Sequence, residues 1–179
     1  MSLLSAPSTG ADRIEVTDAS LKLVLEGNDP GITLDASFDF ELPGVLEDAI
    51  NRGIALYFVV DFELYRERWW WFDRKLVSES RLFRLTYSPL TRQYRIGSGA
   101  LALPFESIAD ALVTMRRIHG WNVIERGVLK SDDDYRAQVR MRLDTSQLPK
   151  PFQVNALTNR DWALSSDWRS VPVVPELAR

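Results

Sequence analysis

The sequence predicts a mainly β protein, an antiparallel β-sandwich or open barrel of about eight strands carrying two short α-helices. Three observations carry that expectation. Several stretches alternate apolar and polar residues at period two, the mark of a strand with one buried face. Successive stretches are joined by turn-forming segments, as in hairpins. No βαβ rhythm and no glycine-rich strand-to-helix turn interrupts them.

Residues 1–11, small and polar, read as a flexible lead-in, residues 12–172 as a single β-sandwich domain, and residues 173–179 as a C-terminal tail. Ile14 and Val16 keep one parity, while Ala19, Leu21, Leu23 and Leu25 keep the other, so a bulge near Thr17 and Asp18 is expected. The turn "GNDPG" at residues 27–31 leads into Ile32, Leu34, Ala36, Phe38, Phe40 and Leu42, apolar at every second position. Pro43 ends that strand. Val45, Leu46, Ala49 and Ile50 then share one face of a short helix closed by Gly53.

Strand parity resumes with Ile54, Leu56, Phe58, Val60, Phe62 and Leu64. Two further strands, at residues 77–87 and 93–96, flank the turn "SPLT". Ser107, with Asp110 three positions on, opens a second helix expected to end at Gly120. Tyr135, Ala137, Val139, Met141 and Leu143 alternate with Arg136, Gln138, Arg140 and Arg142, another amphipathic strand. "LPKPF" reads as a proline-restricted crossing, followed by the pairs Asp161-Trp162 and Asp167-Trp168.

Composition excludes several function classes. The chain has 179 residues with 26% charged and 45% hydrophobic, which argues for an ordinary globular body. No apolar run approaches the roughly 20 residues of a membrane span. A net charge of -3 disfavours broad phosphate-driven nucleic-acid binding. Cys 0 removes disulfides, thiolate metal sites and cysteine nucleophiles together. "MSLLSAPSTGAD" lacks a basic segment followed by an apolar one, so the expectation is a cytoplasmic protein or one whose export signal has been removed.

Catalytic chemistry is hard to assemble. His119, alone of its type, is expected at the C-terminus of the second helix, where the dipole favours a cation. Asp132, Asp133 and Asp134 lack the alternation and glycine of a calcium loop and read as a solvated hairpin loop. Asp35, Asp39 and Glu41 fall at strand spacing, with Arg136, Arg140 and Arg142 as expected cross-strand partners. Phosphate loops, zinc spacings and dinucleotide fingerprints are absent, so no catalytic residue, metal or cofactor is assigned.

"FELYRERWWWFDRKL" at residues 62–76 sets Trp69, Trp70 and Trp71 side by side, and no regular surface buries three neighbours together. Continued parity from Leu64 would put Arg66, Arg68 and Trp70 on the core side, with Tyr65, Trp69 and Trp71 opposite. Either the strand outruns the core or a bulge near Arg66 resets it. Both leave an end rich in arginine and aromatic rings, Tyr65 and Arg66 included, as the candidate partner-binding surface. Sealing an end of the core is the alternative use of two of these rings. Parity makes Trp70 the structural member.

The segments "FDFELPGVLEDAINRGIALYFVVDFEL", "WWWFDRK", "RLTYSPLTRQYR", "MRRIHGW" and "MRLDTSQLPKPFQVNALTNRDWALSSDW", in this order, make the chain resemble the proteobacterial domain-of-unknown-function 4390 family. Its motif positions here include Pro149, Pro151, Phe152, Asp161, Trp162, Asp167 and Trp168. The resemblance implies an exported, periplasmic protein, often encoded beside a sensor histidine kinase, and implies no activity. The resulting expectation is a non-enzymatic interaction module with a protein partner, a kinase sensor region among the conceivable ones. The alternative is a carrier that holds an apolar ligand or lipid between its sheets. A hydrolase using carboxylates alone lacks a nameable acid and base.

Overall fold

The first hairpin joins β1 (Glu15–Val24) to β2 (Gly31–Asp39), and its register slips between Val16 and Asp18, as the change of apolar parity requires. The computed structural model that shows this describes residues 13–179; the expected lead-in at 1–11 lies outside the described residues. β7 (Arg117–Glu125) pairs with the far side of β2 to complete a three-stranded sheet, β1-β2-β7.

The second sheet has six strands in the order β6-β5-β4-β3-β8-β9. Its members are β3 (Leu56–Arg66), β4 (Arg74–Ser88), β5 (Gln93–Ser98), β6 (Leu101–Phe105), β8 (Tyr135–Leu143) and β9 (Arg169–Val171). All pairings are antiparallel, and the two sheets do not close into a barrel. At one corner the Ile14 N–H donates to the Ser165 carbonyl at 3.3 Å, tying the start of the first sheet to the edge beside β8.

The apolar positions read from period two meet between the sheets. Leu34, Leu56, Phe58, Val60, Phe62, Leu64, Val139 and Met141 are fully buried in one continuous cluster. Phe58 stacks on Phe40 with centroids 5.7 Å apart. Burial of this kind is the main stabilising term, about 1.5–3 kcal/mol for each large side chain.

α1 (Gly44–Asn51) follows Pro43 and buries Leu46, Ala49 and Ile50; Gly53, at φ +89°, turns the chain back into β3. α2 (Ile108–Met115) is capped by Ser107, whose Oγ accepts the Asp110 N–H at 3.1 Å. This helix stops at Met115, short of the expected Gly120. His119 therefore lies in strand β7 rather than at a helix end. Leu34 pairs with Trp121 and Ala36 with Ile118, so β7 bulges by one residue, and Gly120 at φ +58° adopts the conformation that a bulge favours.

A third helix, α3 (Lys150–Thr158), replaces the expected proline-restricted crossing. Pro149 precedes it and Pro151 occupies its first turn, where a missing N–H breaks no helical hydrogen bond. β6 is likewise additional to the strands expected, an edge strand that carries Pro104. Within residues 173–179 a short 3-10 turn (Pro175–Ala178) buries Leu177 against the core.

Candidate functional site

β3 and β4 form the longest hairpin, and its end is the aromatic stretch. Leu64 pairs with Val77 but Tyr65 with Lys75, so the bulge expected near Arg66 sits instead on β4, at Leu76. The ladder ends at Arg66 and restarts at Arg74. Residues 67–73 form a bent loop, fastened at its base by the Glu67 N–H to the Asp134 carbonyl at 2.9 Å and by Arg66 to Asp133 at 2.9 Å. The Arg68 N–H reaches Asp73 Oδ1 at 3.4 Å across the loop.

Among the described residues nothing covers the tip. Trp69 is 95% exposed, Trp70 63%, Trp71 66% and Phe72 81%. Trp70 is thus no core residue, in contrast to the parity expectation: the pleat that fixes parity ends with the ladder, four residues earlier. Neither do two of the rings seal an end of the sandwich. Their company is local. Trp71 and Phe72 meet edge to face at 5.9 Å, and the Arg68 guanidinium lies 6.0 Å from the Trp70 ring. One step back, Tyr65 is flanked by Lys75 at 5.4 Å and Arg136 at 4.5 Å from its ring centre.

The tip continues a charged outer face on the six-stranded sheet. β3 turns Tyr57, Val59, Asp61, Glu63 and Tyr65 away from the core, opposite Arg142, Arg140, Gln138 and Arg136 of β8. Asp61 is only 8% exposed, and its Oδ2 accepts from Arg142 Nε at 2.8 Å and Arg140 Nε at 3.0 Å, while Oδ1 accepts from Ser80 Oγ at 2.8 Å. Burial by itself would raise its pKa. The hydrogen bonds from Arg142, Ser80 and Arg140, with the attraction of Arg142, outweigh that and hold it below the ordinary value. Glu63 is lowered in the same way, burial being outweighed by Lys75, Tyr65 and Gln138.

These pairings differ from those expected. Asp35, Asp39 and Glu41 belong to the other sheet or its continuation, and none is ion-paired with Arg136, Arg140 or Arg142, which meet Asp73, Asp61 and Asp144 instead. Asp35 pairs with Lys22 and, at 3.2 Å, with His119, and accepts the Gly120 N–H at 2.8 Å; Glu41 meets Arg116 at 3.3 Å. Sequence reasoning does not single out Asp61, Glu63 or Phe72. An acid between the apolar neighbours Val60 and Phe62, at the outward parity of β3, is the available signal for Asp61.

The family-motif residues divide between structure and surface. Pro149 and Pro151 start α3; Phe152 packs on the buried Trp162, centroids 6.0 Å apart. Asp161 sits in a short 3-10 turn. Asp167 pairs with Arg13, and Trp168 lies under Arg140, 4.4 Å from the guanidinium to the ring centre. Asp167 and Trp168 also line an open surface cleft of about 570 Å³, whose floor includes Ile14 and Phe40. None of these residues joins the aromatic tip. Among the described residues no group of three metal-ligating side chains converges.

A model of the family described as a domain of unknown function (DUF4390) matches residues 11–172. The chain belongs to this family. It matches no curated protein and no solved structure. The DUF4390 match spans both sheets, the aromatic hairpin and the cleft motif, and stops one residue beyond β9. What the arrangement offers chemically is contact: rings and guanidinium groups on a hairpin pinned at its base, with Glu63, Asp73 and Asp133 held by cations.

Proposed function

We propose that this DUF4390 chain is a non-enzymatic module of the cell envelope that makes its functional contact through the tip of the β3–β4 hairpin. One observation carries the reading. Four consecutive aromatic residues, Trp69, Trp70, Trp71 and Phe72, are all largely exposed at the end of a hairpin whose base is pinned to the body of the fold. Exposed apolar surface of that density marks an interaction site, since burying it is favourable and leaving it in water is not. The envelope location rests on the likeness to exported proteins. The carrier reading finds no support in the interior, where Leu34, Phe58, Phe62, Leu64 and Met141 occupy the space between the sheets.

A photo-crosslinking residue placed at position 72, compared in cells with one at position 90, tests the assignment. Leu90 is 96% exposed in the turn at the opposite end of β4, so exposure alone does not distinguish the two. Adducts from position 72 and none from position 90 are expected. Equal labelling from both positions, or none from position 72, would overturn the reading.

A further inference from the structure

The tip has the composition and the shape of an element that sits in a lipid bilayer interface. We propose that Trp69, Trp70, Trp71 and Phe72 insert among lipid headgroups and seat the protein on a bilayer surface, an inference that rests on the tip being the contact surface. All four rings are open to solvent along the bent loop that closes the hairpin. A rigid protein pocket would have to encircle the hairpin to bury them together. A fluid interface surrounds them at once.

Indole suits that depth, because its ring is apolar and its N–H seeks a polar partner, the reason tryptophan concentrates at membrane–water boundaries. The residues on either side complete the pattern. Arg68 precedes the four rings and Arg74 follows Asp73; among the described residues neither has a carboxylate within ion-pair distance, so neither charge is neutralised by the protein, Arg74 being exposed and Arg68 half-buried beside the Trp70 ring. Behind them the charges are spent on one another: Arg66 on Asp133, Lys75 on Glu63, Arg136 on Asp73. Glu67, Asp132 and Asp134 lie near the same base, so the local charge is mixed and attraction to an anionic surface is weak. The aromatic term drives the contact, and lipid without net charge is sufficient. No described helix is long and apolar enough to cross a membrane, so the helices supply no span of their own.

Co-sedimentation of the full chain with phosphatidylcholine vesicles, and with vesicles containing phosphatidylglycerol, tests this. Binding to both is expected, with a blue shift of tryptophan emission and quenching by brominated acyl chains. Trp69→Ala and Trp71→Ala should each weaken partitioning about tenfold, given the apolar area withdrawn from water, and Trp69→Phe should recover most of it. Thermal melts of the variants check that each is folded. Absence of binding to both vesicle types, or binding that the alanine variants leave unchanged, would overturn the inference. If position 72 still crosslinked to a protein in cells, the tip would remain the contact surface with a protein as its partner. If it crosslinked to nothing, both readings would fail.

Discussion

Arg142, diagonal to Asp61 on the adjacent strand of the six-stranded sheet, donates from Nε to Asp61 Oδ2 at 2.8 Å, and Arg140, the residue directly opposite Asp61, donates to that same oxygen. A nearly buried carboxylate thus organises two cations from one strand, and Arg140 in turn lies over Trp168. Asp61→Asn keeps the shape and removes the charge, leaving Arg140 without its counter-ion and Arg142 with Asp144 alone, 3.9 Å away. Because each guanidinium is about one-third exposed, water recovers part of the loss. We expect a destabilisation on the order of 1–3 kcal/mol in urea titration. A change under about 0.5 kcal/mol would show that the network is ornamental to stability.

Acid sensitivity should be traceable to Asp35. Burial would raise its pKa, but the Gly120 N–H, Lys22 and His119 lower it to about 2, against an ordinary 3.8. The folded state therefore holds the ionised form more tightly than the unfolded state does. Its stabilising contribution is complete above 3.8 and disappears as the pH falls toward 2. Asp35→Asn should be destabilised relative to the wild type at pH 7, with the gap between their denaturation midpoints closing on acidification. A gap that stays constant down to pH 2 would exclude this linkage.

Phe58 tests the packing between the sheets. It is fully buried and stacked on Phe40, at the middle of the core that the alternating strands create. Phe58→Ala should cost about 3–5 kcal/mol, since the cavity left behind adds to the lost transfer energy. A loss below about 1 kcal/mol in chemical denaturation would contradict the assigned inward face of β3.

The same alternation explains why much of the fold is legible in the amino-acid sequence. β2, β3 and β8 each send every second side chain, an apolar one, into the core, so their sequences report the pleat directly, and even the bulge after Val16 shows as a parity change. β6 bears no such record, because Leu101 and Leu103 stay exposed at an edge. α3 is hidden by its prolines, which block a helix interior but suit a first turn. His119 departs from its expected place because Gly120, a fitting helix stop, serves a strand bulge here. Composition marks the aromatic stretch as a candidate surface with core sealing as the alternative, and the core role for Trp70 extrapolates a pleat beyond the last ladder pair at Arg66. The Asp61 network depends on which strands are neighbours, and that is set by packing across the whole sheet.

The six tryptophans should separate by environment, and the separation runs through the chain instead of through the triplet. Trp162 is 3% exposed against Phe152, whereas Trp69, Trp70 and Trp71 touch little beyond their own loop. Trp162→Ala should cost about 3–5 kcal/mol by opening a cavity beside α3. Each of Trp69→Ala, Trp70→Ala and Trp71→Ala should stay within about 0.5 kcal/mol of the wild type, because an exposed ring gives up almost no buried area when it is removed. Trp70 is the sharpest member of the set, since its stacking under Arg68 is worth about 0.5–1 kcal/mol at an exposed site and most of that is returned by hydration. Melting curves of the four variants decide the matter. A Trp70→Ala loss as large as that of Trp162→Ala would place Trp70 in the core, and the tip would then be a seal for the sandwich and not a surface for contact.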